Sequence, residues 1–248
     1  MDRSLEQFIR QYDTPAEVVD ELRPVETVML TGITGAGKDT VIGDILGESD
    51  EFMRVVTSTT RGPRENNGIL EVEGREYYFL TQEQAMQNME HGEYIEVAPV
   101  HGQINGSLIS EYRRISGLAK IALTDINYEG AGKFLMFDME NLSVYFVMPP
   151  NFEVWLARLM KRQGSAISDH EEILRRFRSA QIELDNALNR SDFIPITNDV
   201  SSDTARKIIE YTKNKTGPST AEREQAHNAI RELNQAISNY IAQLEDIR

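Results

Sequence analysis

Residues 32–40 read Gly32-Ile33-Thr34-Gly35-Ala36-Gly37-Lys38-Asp39-Thr40, set between an apolar run from Val25 to Leu30 and a segment, Thr40 to Leu46, with helical apolar spacing. Few folds accommodate strand, glycine loop and helix in that order. Glycines let successive backbone N–H groups turn inward on a polyphosphate, the helix N-terminus adds the positive end of its dipole, and a lysine reaches the outer phosphates. Gly-x-x-x-x-Gly-Lys runs from Gly32 to Lys38, so Gly32, Gly35, Ala36, Gly37, Lys38, Asp39 and Thr40 form the candidate cradle. Asp39 stands where a serine or threonine usually offers a hydroxyl to Mg²⁺. Two readings of it stay open: a carboxylate complementing the helix N-terminus, or a direct or indirect Mg²⁺ contact with the Thr40 hydroxyl beside it. The second needs the cation, because an anion beside phosphates repels them.

Length and charge narrow the classes. A chain of 248 residues holds one well-cored α/β domain with additions, and is too short for two independent enzymes. A formal net charge of −14 argues against a general nucleic-acid binder, which needs clustered Lys and Arg along a phosphate backbone. With no cysteine there is no disulfide framework, thiol nucleophile or Cys-ligated zinc. Met1 to Glu6 lacks the basic start and apolar core of a signal peptide, and no apolar run approaches membrane-spanning length. The expectation is a soluble cytoplasmic protein with no membrane contact.

Along the chain, residues 1–24 read as two short helices, with Leu5, Phe8, Ile9 and Tyr12 on one face and Thr14-Pro15-Ala16-Glu17 as a capped start. Arg54 to Ser58 is a strand candidate. The loop after it carries Arg61 and Arg64, whose guanidinium forks suit a phosphate monoester, although such a pair is more often solvated. Glu71 to Phe79 reads as a hairpin, and Thr81-Gln82-Glu83-Gln84 as a capping box opening a helix to about His91. Lys213 to Pro218 reads as a linker. Beyond it Ser219 to Glu222 caps a helix in which Ala226, Ile230, Leu233, Ile237, Tyr240 and Leu244 form a heptad stripe. Three heptads are marginal alone, so the stripe is expected to dock on its own chain or, alternatively, to pair with a second copy as a homodimer.

Downstream of the glycine loop, an ordered set of short motifs completes the pattern. Thr59-Thr60-Arg61-Gly62-Pro63-Arg64 is followed by Gly74-x-x-Tyr77-x-Phe79, then Gly92-Glu93-Tyr94-Ile95-Glu96, Val100-His101-Gly102 and Gly106-Ser107. Asp125-Ile126-Asn127-Tyr128-Glu129-Gly130, Phe146-Val147-Met148-Pro149-Pro150, the arginines at 158, 162, 175 and 176, and Thr197-Asn198-Asp199 follow. Each motif alone is weak, but in this order from about residue 25 to 212 they resemble guanylate kinase.

The resemblance implies a P-loop three-layer α/β/α fold with a parallel sheet, a core over 25–56, 111–150 and 171–212, an inserted acceptor subdomain over 57–110 and a lid over 151–170. Residues 1–24 become an N-terminal helical extension, and 213–248 a linker with an amphipathic helix. It implies transfer of the ATP γ-phosphoryl group to GMP or dGMP, with Mg²⁺ as cofactor. Lys38 would hold the donor phosphates, Asn198 would face adenine, and Arg158, Arg162 and Arg176 would close over the transferring group. Arg61, Arg64 and Tyr77 would grip the acceptor phosphate, with Glu71 beside them. Thr57, Glu96 and Ser107 would meet guanine, whose N1–H and exocyclic amine both donate to a carboxylate as adenine cannot. Asn127 falls near the acceptor, and Asp125, with Asp39 and Thr40, near the metal.

Departures from the family pattern bear on the acceptor. Asn105 replaces a second phosphate-gripping tyrosine, Asn127 an acidic residue and Glu129 a glutamine, and an insertion lies around Asn66 to Leu70. The Lys38-Asp39 ending also resembles bacterial ribose bisphosphate kinases of the same superfamily. Two alternatives follow: a kinase with another acceptor such as ribose 1,5-bisphosphate, and a non-catalytic interaction module.

Overall fold

The computed structural model describes residues 3–66, 68–100, 102–163 and 170–246; the side chains at 4, 66, 162, 163, 170 and 246 also lie outside the description. The helices in chain order are α1 (Arg3–Arg10), α2 (Ala16–Leu22), α3 (Lys38–Glu48), α4 (Gln82–Glu90), α5 (Ile109–Gly117), α6 (Tyr128–Leu135), α7 (Phe152–Gln163), α8 (His170–Asn189), α9 (Ser201–Asn214) and α10 (Thr220–Asp246). The strands are β1 (Thr27–Thr31), β2 (Phe52–Arg54), β3 (Ser58–Thr59), β4 (Glu65–Asn66), β5 (Ile69–Leu70), β6 (Tyr78–Phe79), β7 (Tyr94–Val100), β8 (Gln103–Leu108), β9 (Ile121–Asp125), β10 (Leu142–Met148) and β11 (Phe193–Thr197). The result is mixed α/β with a parallel sheet core and helices. No helix among the described residues is long and apolar enough to cross a membrane.

The chain divides into two compact units. One comprises Met1–Thr27, Glu51–Thr124 and Lys133–Leu142; the other comprises Val28–Asp50, Asp125–Gly132 and Ser143–Arg248. In the second, strands lie in the order β11-β10-β1, and β10 runs parallel to β11 with Phe146 opposite Pro195. Val28, Met29 and Leu30 are fully buried, as are Tyr145 to Met148, which is why these strands read as unbroken apolar runs rather than alternating ones. Helix α3 packs on α9, while α10 packs on α8, β11 and α7.

That packing accounts for most of the heptad stripe. Ala226, Ile230, Leu233 and Ile237 are buried within their own unit, so the apolar face docks on its own chain. Its start is the expected reciprocal cap: the Ser219 N–H donates to the Glu222 carboxylate at 2.8 Å, and the Glu222 N–H to Ser219 Oγ at 3.3 Å.

The first unit holds a four-stranded sheet in the order β6-β3-β8-β7, and in it β2 runs parallel to β9. Ile9 of α1 is fully buried among Ala85, Met89, Tyr94, Val97 and Ile104, so the N-terminal extension is part of this unit's core. The expected capping box of α4 is present in both directions between Thr81 and Gln84.

Three local expectations are corrected. Thr14 does not cap α2: Pro15 occupies the cap position, and the Thr14 hydroxyl donates to the Ile95 carbonyl at 2.5 Å. The strand expected over 54–58 is split into β2 and β3, because the buried Glu111 carboxylate accepts the Val56 N–H at 3.1 Å and draws the chain out of a ladder. Residues 71–79 are not a two-stranded hairpin. Gly74, at φ +73°, closes a turn by its N–H to the Tyr77 carbonyl at 2.9 Å, and Tyr78–Phe79 pairs with β3 instead. The hairpin lies upstream, in the insertion, where β4 pairs antiparallel with β5.

Candidate active site

In the second unit the glycine loop links β1 to α3, and its backbone explains its residues. Gly32 lies at φ +132°, where a Cβ would sit 2.1 Å from the Val147 carbonyl oxygen of β10; Gly37, at φ +94°, would place one 2.5 Å from Asn198 Nδ2. Neither position admits a side chain.

Three alternate carbonyls of the loop are held by side chains. Lys38 Nζ donates to the Gly32 carbonyl, Trp155 Nε1 to that of Thr34 at 2.8 Å, and Asn198 Nδ2 to that of Ala36 at 2.8 Å. In a planar trans peptide C=O and N–H point opposite ways. Pinning carbonyls 32, 34 and 36 outward therefore aims the N–H groups of Ile33, Gly35 and Gly37 to the other side. N–H groups aimed to one side are what an anion-binding concavity requires.

Beside the loop is a cleft of about 620 Å³, lined by Thr34, Gly35, Gly37, Lys38, Asp39, Thr40, Asp125, Arg158, Asn198, Asp199 and Ser201. Most of the predicted donor-side residues thus meet on one surface. Arg158 enters it with its guanidinium fixed, Nη1 donating to the Asn198 carbonyl at 2.9 Å and Nη2 to that of Asp199 at 3.0 Å. Asn198 is 2 % exposed, its amide nitrogen on Ala36 and its oxygen 3.3 Å from Thr204 Oγ1, so its amide braces the loop.

Arg176 does not line this cleft; it pairs with Glu172 one turn back on α8, Nη2 to Oε1 at 2.6 Å. The Arg162 side chain lies outside the described residues, as do residues 164–169 of the expected lid. Asn127 caps α6, its side-chain oxygen accepting the Gly130 N–H at 2.7 Å.

Trp155, Ser201 and Glu183 were not anticipated, and Asp199 figured only as part of the Thr197-Asn198-Asp199 motif. Burial pushes the Glu183 carboxyl of α8 upward, while the Lys38 ammonium and a Ser179 hydrogen bond oppose the rise. The signal for Trp155 was available: it stands three residues before Arg158 on a helix, hence on the same face. Glu183 left no local signature.

The first unit carries the predicted acceptor residues other than Asn127, which belongs to the second. Arg61 forms a bidentate pair with Glu71, Nη1 to Oε2 at 2.5 Å and Nη2 to Oε1 at 2.8 Å, with its guanidinium carbon 4.8 Å from the centre of the Tyr77 ring. Glu71 also accepts the Arg64 N–H at 2.9 Å, so one carboxylate orders the whole arginine loop. The Glu71 hydrogen bonds raise the Arg61 pKa further. The Arg64 residue is exposed.

Glu96 of β7 faces Ser107 of β8 across the ladder, and Ser107 Oγ donates to Glu96 Oε1 at 3.0 Å. Burial raises the Glu96 carboxyl pKa, against which Ser107 and the Lys133 charge pull it down. Thr57 lies at the start of the same sheet region, its carbonyl accepting the Tyr78 N–H at 2.9 Å. Asn105, in the place of the absent tyrosine, accepts from Thr59 Oγ1 at 2.7 Å.

Comparison with known proteins agrees with this geometry. A family model described as guanylate kinase matches residues 25–215. Over 183 residues the chain is 33 % identical to a guanylate kinase of Prochlorococcus marinus strain MIT 9312, covering 74 % of this chain and 94 % of that protein. It is 29 % identical over 161 residues to the guanylate kinase of Sus scrofa, covering 64 % and 77 % respectively. The crystal structure of guanylate kinase from Anaplasma phagocytophilum superposes with a TM-score of 0.57 at 24 % identity, over 79 % of this chain and 88 % of that one, and supports the fold.

Proposed function

From a chain that belongs to the guanylate kinase family, and so is a nucleoside monophosphate kinase, we propose the reaction ATP + GMP (or dGMP) to ADP + GDP (or dGDP), with Mg²⁺ accompanying ATP in the cytoplasm. The observation that carries the acceptor is the Glu96 carboxylate, enclosed and oriented by Ser107. Guanine presents two adjacent donors to such a group where adenine presents an acceptor. The enclosed carboxylate therefore favours guanine and leaves an adenine base opposite an unmatched charge.

On the donor side, Lys38 and the N–H groups of Gly35 and Gly37 hold the β- and γ-phosphates. Arg158, already fixed by two carbonyls, presents its remaining charge to the transferring group. Phosphoryl transfer asks for positioned cations and in-line geometry more than for covalent chemistry. Thr40, Asp39 and Asp125 line the cleft and are hard oxygen donors that fit Mg²⁺. When bound, that ion would neutralise phosphate charge. Arg61 and Arg64, with Tyr77, take the acceptor phosphate, and Glu71 aims Arg61.

The test is ADP release in a coupled assay with Mg-ATP and, separately, GMP, dGMP, AMP, CMP, UMP or ribose 1,5-bisphosphate. Turnover with GMP, lost in Lys38→Ala and strongly reduced in Glu96→Ala, is the expected result. Turnover with ribose 1,5-bisphosphate alone would reassign the acceptor, and none with any of the six would defeat the proposal.

A further inference from the structure

The carbonyl of Thr34 is held by a side chain that belongs to an aromatic cluster reaching the C-terminal helix. Trp155 is 1 % exposed, and its indole nitrogen bonds the Thr34 carbonyl. Its ring centre lies 5.1 Å from that of Phe177 on α8 and 6.0 Å from that of Phe152 at the start of α7. Both phenylalanines contact one further ring, Tyr240 of α10, at 5.4 and 5.3 Å. The glycine loop also rests directly on this wall, since a Cβ on Gly35 would lie 3.5 Å from Trp155 Nε1 and 3.7 Å from the Leu159 nitrogen.

We infer that α10 is a positioning element of the donor phosphate loop, acting through Tyr240, Phe152 and Phe177 on Trp155. The inference rests on the reading of residues 32–40 as the ATP site. Tyr240 is held in register along α8 by bonds on either side of it, Gln181 Nε2 to Ser238 Oγ at 2.7 Å and Arg178 Nη2 to Glu245 Oε1 at 2.8 Å. An indole has a single N–H donor, so its tilt decides whether the Thr34 carbonyl is held. That carbonyl in turn decides which way the Gly35 N–H points. Removing the Tyr240 ring leaves a void beside two of the rings that fix the tilt, and a close-packed interior transmits such a loss to its neighbours. The family match ends at residue 215, so Tyr240 joins this wall from outside the matched region.

The chain has one tryptophan, so its fluorescence reports this wall without labelling. ATP affinity is measured by equilibrium dialysis on the full chain, alongside KM for ATP and for GMP, tryptophan emission and melting temperature. Tyr240→Ala is expected to weaken ATP about fivefold, the scale of one lost hydrogen bond, with a shifted emission and an unchanged KM for GMP. Tyr240→Phe keeps the ring and should match wild type. Trp155→Phe should weaken ATP to a similar degree, and Tyr240→Ala should add nothing to it. Leu233→Ala, a buried α10 change outside the aromatic cluster, should lower the melting temperature and leave ATP affinity alone.

Tyr240→Ala binding ATP as wild type does would overturn the inference. So would equal rises in both KM values, or an equal ATP loss in Leu233→Ala. If Tyr240→Ala does not fold, Tyr240→Leu is read by the same criteria. A wild-type chain that binds no ATP would remove the ATP assignment of the loop and the brace with it, whereas intact wild-type binding with an insensitive Tyr240→Ala removes the brace alone.

Discussion

Replacing Glu71 by alanine tests the acceptor loop where the structure makes it most dependent on one group. The carboxylate accepts two hydrogen bonds from Arg61 and one from the Arg64 N–H, and the two side chains are only 16 % and 7 % exposed. In water such a pair contributes little, but here its removal leaves a mostly enclosed guanidinium with the Gly62 carbonyl and the Tyr77 face. Breaking one partner of a buried pair costs about 3–5 kcal/mol. Residual access to water offsets part of that for Arg61, so about 3 kcal/mol is expected. For a chain of this size that corresponds to a fall of about 6–12 °C in melting temperature. Thermal denaturation of Glu71→Ala, Arg61→Ala and the double variant gives the coupling directly. If the charge pair is the cause, the double variant loses less than the sum of the singles by at least about 1.5 kcal/mol. Additive losses would refute the reasoning, since they would mean that Glu71 acts through the loop backbone and not through Arg61. Glu71→Gln, which keeps the bond to the Arg64 N–H, should fall between wild type and alanine and raise KM for GMP more than KM for ATP.

Three further outcomes are expected. Because burial raises the Glu96 pKa above its ordinary 4.5, the unfolded chain releases this proton first as pH rises. Stability from this group is then present below that value and lost between it and the folded value, so Glu96→Gln should melt higher than wild type at neutral pH and no higher near pH 4. GMP affinity should fall as pH drops through the folded value in wild type, while Glu96→Gln, titrated in parallel, shows only the nucleotide's own phosphate. Gly37→Ala forces a Cβ onto Asn198 Nδ2 at a positive φ; about 1–2 kcal/mol of backbone strain and about 1 kcal/mol of lost hydrogen bond should weaken ATP by about 30- to 150-fold in dialysis. Thr81→Ala removes one half of the α4 cap and should cost about 1 kcal/mol in denaturant titration without altering either KM.

The regular parts of this chain were legible because local chemistry alone decides them. The glycine loop, the Thr81 and Ser219 caps and the apolar stripe of α10 each require certain residue types at certain spacings, and each lies where the sequence places it. What misled was polar chemistry satisfied at long range. Thr14 looks like a cap by its neighbours, yet its hydroxyl reaches Ile95, 81 positions away. Val56 belongs to a strand by its residue type, but its N–H is taken by Glu111, 55 positions on. Nothing in a window of ten residues records either partner.

The asparagines carry the same lesson into the site. Read as replacements for functional groups, Asn105 and Asn127 suggest weakened ligand contacts. In the structure Asn105 accepts from Thr59, Asn127 caps α6, and Asn198 holds the Ala36 carbonyl. An amide can donate and accept at once without charge, so at 105 it closes a local bond where a longer tyrosine would project past it. At 105 and 127 the amides therefore fix the backbone that carries Arg61 and the start of α6. The departures from the family pattern thus order the segments around them. On that account the reversion Asn105→Tyr alone should not raise GMP affinity: it adds a hydroxyl to the acceptor pocket and frees Thr59, whose Oγ1 also accepts the Arg61 N–H at 3.3 Å. A reversion that does tighten GMP would show that the Thr59–Asn105 bond has no part in presenting Arg61.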